Sequence, residues 1–141
     1  MIADRGRARI VDLPEFRDDG RGALAVAECG PQVPFTVHRV FTIHDMPPGV
    51  ERGGHAHYLC EQFVLCVAGA VDLVSEDCEG LGSFRINKPS TGLYVPPLTW
   101  LSLIALKMGT VIVVLASDGF DEDDYIRDRA DFDALTRVRS Q

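Results

Sequence analysis

Short apolar runs separated by Gly and Pro turns dominate the pattern along this chain, and they predict strands almost throughout. ARIVDL (8–13) and ALAVAE (23–28) are β-type segments on either side of a predicted turn, FRDDGRG (16–22). FTVHRVFTI (35–43) is a strong strand signal, with aromatic and β-branched residues at nearly every position. A loop with paired prolines (44–54) leads into GHAHY and then EQFVLCVAG. AVDLVSED (70–77) follows through an Ala-Gly-Ala connection centred on Gly69, which suggests pairing with the strand before it. GSFRI (82–86), TGLYV (91–95), WLSLIAL (100–106) and TVIVVLAS (110–117) complete the set, and Lys107, Met108 and Gly109 read as a hairpin connection. Many short strands at close spacing predict an all-β sandwich or barrel. The end of the chain differs: residues 121–138 predict a C-terminal helix. Its acids crowd the first turn, its arginines lie near the end, and Tyr125, Phe132 and Leu135 are able to share one face. With 141 residues, no repeat and no linker, the expectation is one domain over 1–141.

Composition narrows the function classes. Net charge is −7 with no basic run, so a nucleic-acid partner is not expected. No apolar run reaches membrane-span length and the first residues lack an apolar signal segment; the expectation is a cytoplasmic protein with no membrane partner. The cysteines at 29, 60, 66 and 78 have no C-x-x-C spacing and are expected as reduced thiols.

Two of the four histidines fall in GGHAHYLCEQ (53–62). Strand alternation places His55 and His57 on one face and Ala56 on the other. Paired imidazoles inside a barrel are useful in two ways. They are able to bind a transition metal with Glu61 as a third ligand, or to move protons near neutral pH. Satisfied polar residues at a barrel rim are the bland alternative.

The spacing Gly49-x5-His55-x-His57-x3-Glu61, followed by Gly69, resembles the first motif of the cupin superfamily. That resemblance implies an antiparallel jelly-roll barrel, here with a C-terminal α-helix. The segment from Gly92 to Leu101 stands where the second cupin motif is expected. Metal-binding cupins place a histidine there, and this chain has Leu101, so no metal and no cofactor are expected and proton transfer is favoured. A metal-dependent cupin using His55, His57 and Glu61 is kept as an alternative.

A narrower resemblance runs along roughly residues 10–132. Asp19-Gly-Arg21-Gly22-Ala-Leu24, His38-Arg39-Val40-Phe41-Thr42-Ile43, Arg52-Gly-Gly-His55-Ala-His57 with Glu61-Gln62, Gly92-Leu-Tyr94-Val-x-Pro97, Leu115-Ala-Ser117-Asp118 and Asp124-Tyr125-Ile126-Arg127 are similar to motifs of the sugar nucleotide 3,4-ketoisomerases. The resemblance implies a metal-independent 3,4-ketoisomerisation of a dTDP-4-keto-6-deoxyhexose through an enediol. His55 and His57 are the implied acid/base pair, with His55 the more direct. Arg21, Arg39 and Arg52 match family arginines, and Arg52 is the best placed in sequence to reach diphosphate or sugar. Tyr94 and Trp100 are candidates to stack on the base or line the pocket, though as residues alone they read as core aromatics. Glu61, Thr42 and Leu101 complete the candidate substrate contacts. Thr42 and Leu101 depart from the family, which often has tyrosine and a polar residue there. A dTDP-linked sugar partner and a homodimer, with exchanged N-terminal strands as one form of it, are also implied. A non-catalytic nucleotide-sugar-binding cupin is the remaining alternative.

Overall fold

The computed structural model describes residues 6–139. Ten of its strands form two five-stranded antiparallel sheets. The first sheet has the order β1 (Arg9–Asp12), β9 (Thr91–Val95), β6 (Gln62–Ala68), β11 (Val111–Ala116), β4 (Arg39–Ile43). The second has the order β12 (Tyr125–Ile126), β5 (Glu51–His57), β10 (Trp100–Ala105), β7 (Val71–Asp77), β8 (Gly80–Ile86). β2 (Glu15–Asp18) and β3 (Gly22–Ala25) form a separate hairpin, and α1 (Arg129–Arg139) ends the chain. Val64, Leu93, Ile112 and Val114 of the first sheet meet Val71, Leu73, Ile86, Leu101 and Leu103 of the second in one buried core. In β10 and β11 buried residues alternate with partly exposed ones, the period of a strand with one face on the core. This is the jelly-roll barrel with a C-terminal helix that the cupin resemblance implies. No helix among the described residues is long and apolar enough to cross a membrane.

Several local expectations are corrected. Segment 16–22 is mostly strand, because Phe16 and Arg17 pair with Leu24 and Ala23 and leave only a tight turn between β2 and β3. Within 35–43 only Arg39–Ile43 is strand. The two expected hairpins at Gly69 and Lys107–Gly109 are crossovers. β6 pairs with β9 and β11, while β7 pairs with β8 and β10, so both connections pass from one sheet to the other. The two crossovers pack together: the Leu106 amide donates to the Ala70 carbonyl at 2.9 Å, and a Cβ on Gly69 would lie 2.3 Å from Thr110 Oγ1. Gly69 is therefore required by close approach as well as by its φ of +79°.

The expected helix over 121–138 begins late. Asp121 caps a 3-10 turn at Glu122–Asp124, Tyr125–Ile126 add a strand to β5, and Asp128 caps α1 by accepting the amides of Ala130 and Asp131. The acids that suggested one helix start supply two separate caps. Phe132 and Leu135 pack with Ala56, Ile126, Leu98 and Trp100, but Tyr125 belongs to the strand and not to the helix face.

Candidate active site

β5 carries the histidines and is shaped by a bulge. Its register to β10 shifts between Leu101, opposite His55, and Ser102, opposite Gly53, so Gly54 is the extra residue. Gly53 and Gly54 have φ of +90° and +77° and absorb the kink. The bulge has a consequence that plain alternation misses. Arg52 pairs with Leu103, and Leu101 and Leu103 are both inward residues of β10. The extra residue thus turns Arg52 to the same face as His55, three positions away.

The histidines do share a face. Ala56, between them, packs outward against Ile126 and Phe132. The His55 and His57 rings are 5.3 Å apart, edge to face. Tyr125 lies against both, with ring centroids 5.1 Å from His55 and 4.4 Å from His57. His55 is partly exposed, and His57 is 6% exposed. Burial, then the neighbouring His57 and Arg127, lower the His55 pKa from 6.5 to about 4. Burial also lowers the pKa of His57, opposed by its hydrogen bond and charge interaction with Asp124. Both imidazoles are held neutral at pH 7, the state that accepts a proton.

Asp124 is a site residue whose role sequence reasoning missed, although it lies in a motif shared with the ketoisomerases. Its Oδ2 accepts from His57 Nδ1 at 3.1 Å and from the Cys60 amide at 3.2 Å, and its Oδ1 accepts from the Leu59 amide at 2.8 Å. Gln62 was also missed; its side-chain nitrogen is 3.4 Å from His57 Nε2. Reading 121–138 as helix hid both Asp124 and Tyr125, because only the short β12 brings them to β5.

The other candidates divide. Arg39, Phe41 and Ile43 alternate inward on β4. Arg39 holds its guanidinium 5.5 Å from the Phe41 ring and 5.8 Å from the Phe120 ring. Among the described residues its Nε is buried without a hydrogen-bond partner, and its charge helps lower the His57 pKa. Thr42 points the other way from Arg39 and Phe41 and is exposed, so the missing phenol at this position lies off the inner face. Glu61 is buried, and the Tyr94 hydroxyl donates to its Oε1 at 2.6 Å. Among the described residues, metal-ligating atoms gather at His57, Cys60 and Asp124, within 4.8 Å of one another, and not at His55, His57 and Glu61, the set of the metal-dependent alternative. Tyr94 is fully buried beside Val33, Phe63 and Leu13, which corrects its reading as a base-stacking residue. Trp100 is also corrected: it packs on Phe132, 5.3 Å between rings, beneath α1 and on the face opposite Leu101. Arg21 sits on the β2–β3 hairpin in an ion pair with Asp18, its side chain 80% exposed.

Comparison with known proteins places the chain in a family. The family described as FdtA: WxcM-like, C-terminal matches residues 6–137. A TDP-4-oxo-6-deoxy-alpha-D-glucose-3,4-oxoisomerase of Aneurinibacillus thermoaerophilus is 36% identical over 114 residues, covering 81% of this chain and 82% of that one. The crystal structure of the sugar 3,4-ketoisomerase QdtA from Thermoanaerobacterium thermosaccharolyticum, in complex with TDP, superposes with a TM-score of 0.90 at 29% identity, covering 96% of this chain and 98% of that one. The WlaRB TDP-quinovose 3,4-ketoisomerase of Campylobacter jejuni is 34% identical with a TM-score of 0.82, covering 89% of this chain and 95% of that one.

Proposed function

Because the chain belongs to the FdtA, WxcM-like C-terminal family, we propose that it is a TDP-sugar 3,4-ketoisomerase acting on a dTDP-4-keto-6-deoxyhexose. The observation that carries this reading is the histidine pair, one ring buried and one partly exposed, neutral at working pH, on a chain matched by 3,4-ketoisomerases along most of its length. Moving a ketone from C4 to C3 needs no net oxidation. A base removes the proton at C3, giving an enediol, and a proton then returns to C4. The O4 oxygen gains a proton and the O3 oxygen loses one, so atoms and charge balance. A neutral imidazole suits this work, since it accepts a proton and gives it back on the other carbon. His55, the more accessible ring, is the direct acid/base group, and His57 assists.

The diphosphate requires cationic donors. Arg39 offers a buried Nε without a protein partner, and Arg52 is exposed on the histidine face of β5. Arg21 is remote in sequence and lies on the β2–β3 hairpin. All eight strand residues of the hairpin are exposed, with Phe16 at 64% and Leu24 at 58% facing each other across it. Exposed apolar residues of this kind fit a homodimer in which the partner subunit covers the hairpin. The cytoplasmic location expected from the sequence belongs to the same reading.

The test is incubation with dTDP-4-keto-6-deoxyglucose in deuterated water, followed by NMR. The expected result is deuterium exchange and a 3-keto product. Neither exchange at C3 nor product, with TDP binding intact, would overturn the isomerase and leave a nucleotide-sugar-binding protein. Leu101, apolar and opposite His55, is the observation that favours this second reading.

A further inference from the structure

His57 and His55 are wired differently. A carboxylate only accepts hydrogen bonds, so the 3.1 Å contact between Asp124 Oδ2 and His57 Nδ1 puts the proton on Nδ1. In a neutral imidazole Nε2 then carries the lone pair, which matches the Gln62 side-chain nitrogen 3.4 Å away. Both ring nitrogens of His57 are thus engaged by protein groups, and Tyr125 lies against the ring. His55 has no hydrogen bond of this kind among the described residues, and the Gly53 backbone favours its protonated form. Asp124 is itself tied down. Its oxygens accept the amides of Leu59 and Cys60, and its carbonyl accepts the Tyr58 amide at 3.0 Å.

We propose that Asp124 is a positioning residue that fixes His57 as its Nδ1–H tautomer and so leaves Nε2 as its proton-accepting nitrogen. The tautomer stands apart from the ketoisomerase reading; its effect on turnover rests on that reading. His57, held between Asp124 and Gln62, fixes the edge against which the His55 ring stands.

A cation held by His57, Cys60 and Asp124 is the competing use of the same atoms. It would have to displace the His57 and Cys60 hydrogen bonds to Asp124 Oδ2 and the proton on the Cys60 thiol, which now donates to the Glu61 carbonyl at 3.4 Å.

The experiment uses protein with 15N-labelled histidine, read by long-range 1H–15N correlation without substrate. Wild-type His57 is expected as Nδ1–H, and Asp124→Ala should move it to Nε2–H, the form favoured by a free imidazole. Turnover of Asp124→Ala should fall about 10- to 100-fold with TDP affinity and KM kept, the cost of a misaligned catalytic group. Wild-type His57 found as Nε2–H would overturn the proposal without any variant, so a misfolded Asp124→Ala protein does not shield it. Stoichiometric zinc binding that removes the Nδ1 proton would overturn it in favour of the cation. If the wild type lacks isomerase activity, the function reading fails, and the tautomer measurement still decides the role of Asp124.

Discussion

Leu101 stands directly opposite His55 across the β10–β5 pair, on the same face of the sheet. An apolar side chain at this position removes a hydrogen-bonding group from the imidazole and helps keep water off it. The chief cause of the low His55 pKa is burial, and Leu101 is the buried residue paired opposite it on β10. Leu101→Asn should therefore raise the His55 pKa from about 4 toward 6.5. An NMR titration of the His55 ring protons checks this, and a value still near 4 would show that burial by other residues is sufficient. The polar substitution in a core position should also cost about 1–3 kcal/mol of stability, read by urea unfolding.

The depressed histidine pKa values set two pH dependences with a definite sign. A base must be neutral, so turnover should stay level from neutral pH down toward pH 5 and fall as His55 protonates near about 4. Stability follows linkage. The unfolded chain takes up a proton on His55 below its ordinary 6.5, and the folded chain resists until about 4. Folding stability should therefore decline as pH falls through that window, and His57, also lowered, adds in the same direction. Melting temperature measured across pH 4 to 7 for the wild type and for His55→Asn should show the slope reduced in the variant; equal slopes would remove His55 as its source.

The bulge predicts a contrast between adjacent glycines. A Cβ on Gly53 would lie 2.7 Å from the Leu101 carbonyl oxygen, a backbone atom, while Gly54 has nothing within 4 Å. Both have positive φ, so both alanine variants carry strain of roughly 1–3 kcal/mol, but only Gly53→Ala adds a clash that the β10 backbone must relieve. Gly53→Ala should lose more stability than Gly54→Ala and should also lose turnover, because it shifts the strand that aims His55 and Arg52. Thermal melts and single-turnover rates of the two variants test this; identical losses would mean that the close approach to Leu101 is unimportant.

The hairpin gives a test of assembly. Phe16→Ser with Leu24→Ser removes the apolar pair that faces outward on β2 and β3. Within this chain these side chains are largely exposed, so monomer folding should change little. Sedimentation should show the wild type as a dimer and the variant shifted toward monomer at micromolar concentration. A monomeric wild type would remove the homodimer reading.

Strand content and the pairing of the histidines on one face were legible because alternation is a local signal. Ala56 confirms it by packing outward. Sheet membership was not legible at Gly69 or Lys107–Gly109. A short Gly-containing connection serves a hairpin or a crossover equally well, and the choice depends on which sheet needs each apolar face. Arg52 was expected near the site from sequence proximity, but a spacing of three in a regular strand would turn it away; only the extra residue at Gly54 restores it. Tyr94 and Trp100 show the converse error. Aromatics in a binding motif were read toward the ligand, while the fold uses one to close the core against Glu61 and the other to seat α1. Asp124 stayed hidden because its value depends on a contact across 67 positions, which no local pattern encodes.

Arg39 gives the sharpest test of nucleotide recognition. Its Nε is buried without a protein partner, and aromatic rings flank its guanidinium on β4 and at Phe120. A cation kept in such a place is costly unless something anionic completes it. Arg39→Met keeps much of the side-chain volume and removes the charge. TDP affinity, measured by calorimetry, should fall about 10- to 100-fold, the worth of roughly 1.5–3 kcal/mol for a charged hydrogen bond. The salt dependence of binding should weaken with it. The same variant should raise the His57 pKa, since the Arg39 charge now helps hold it down. Unchanged affinity together with a raised His57 pKa would place Arg39 beside the histidines as an electrostatic neighbour only, and would move the diphosphate contact to Arg52.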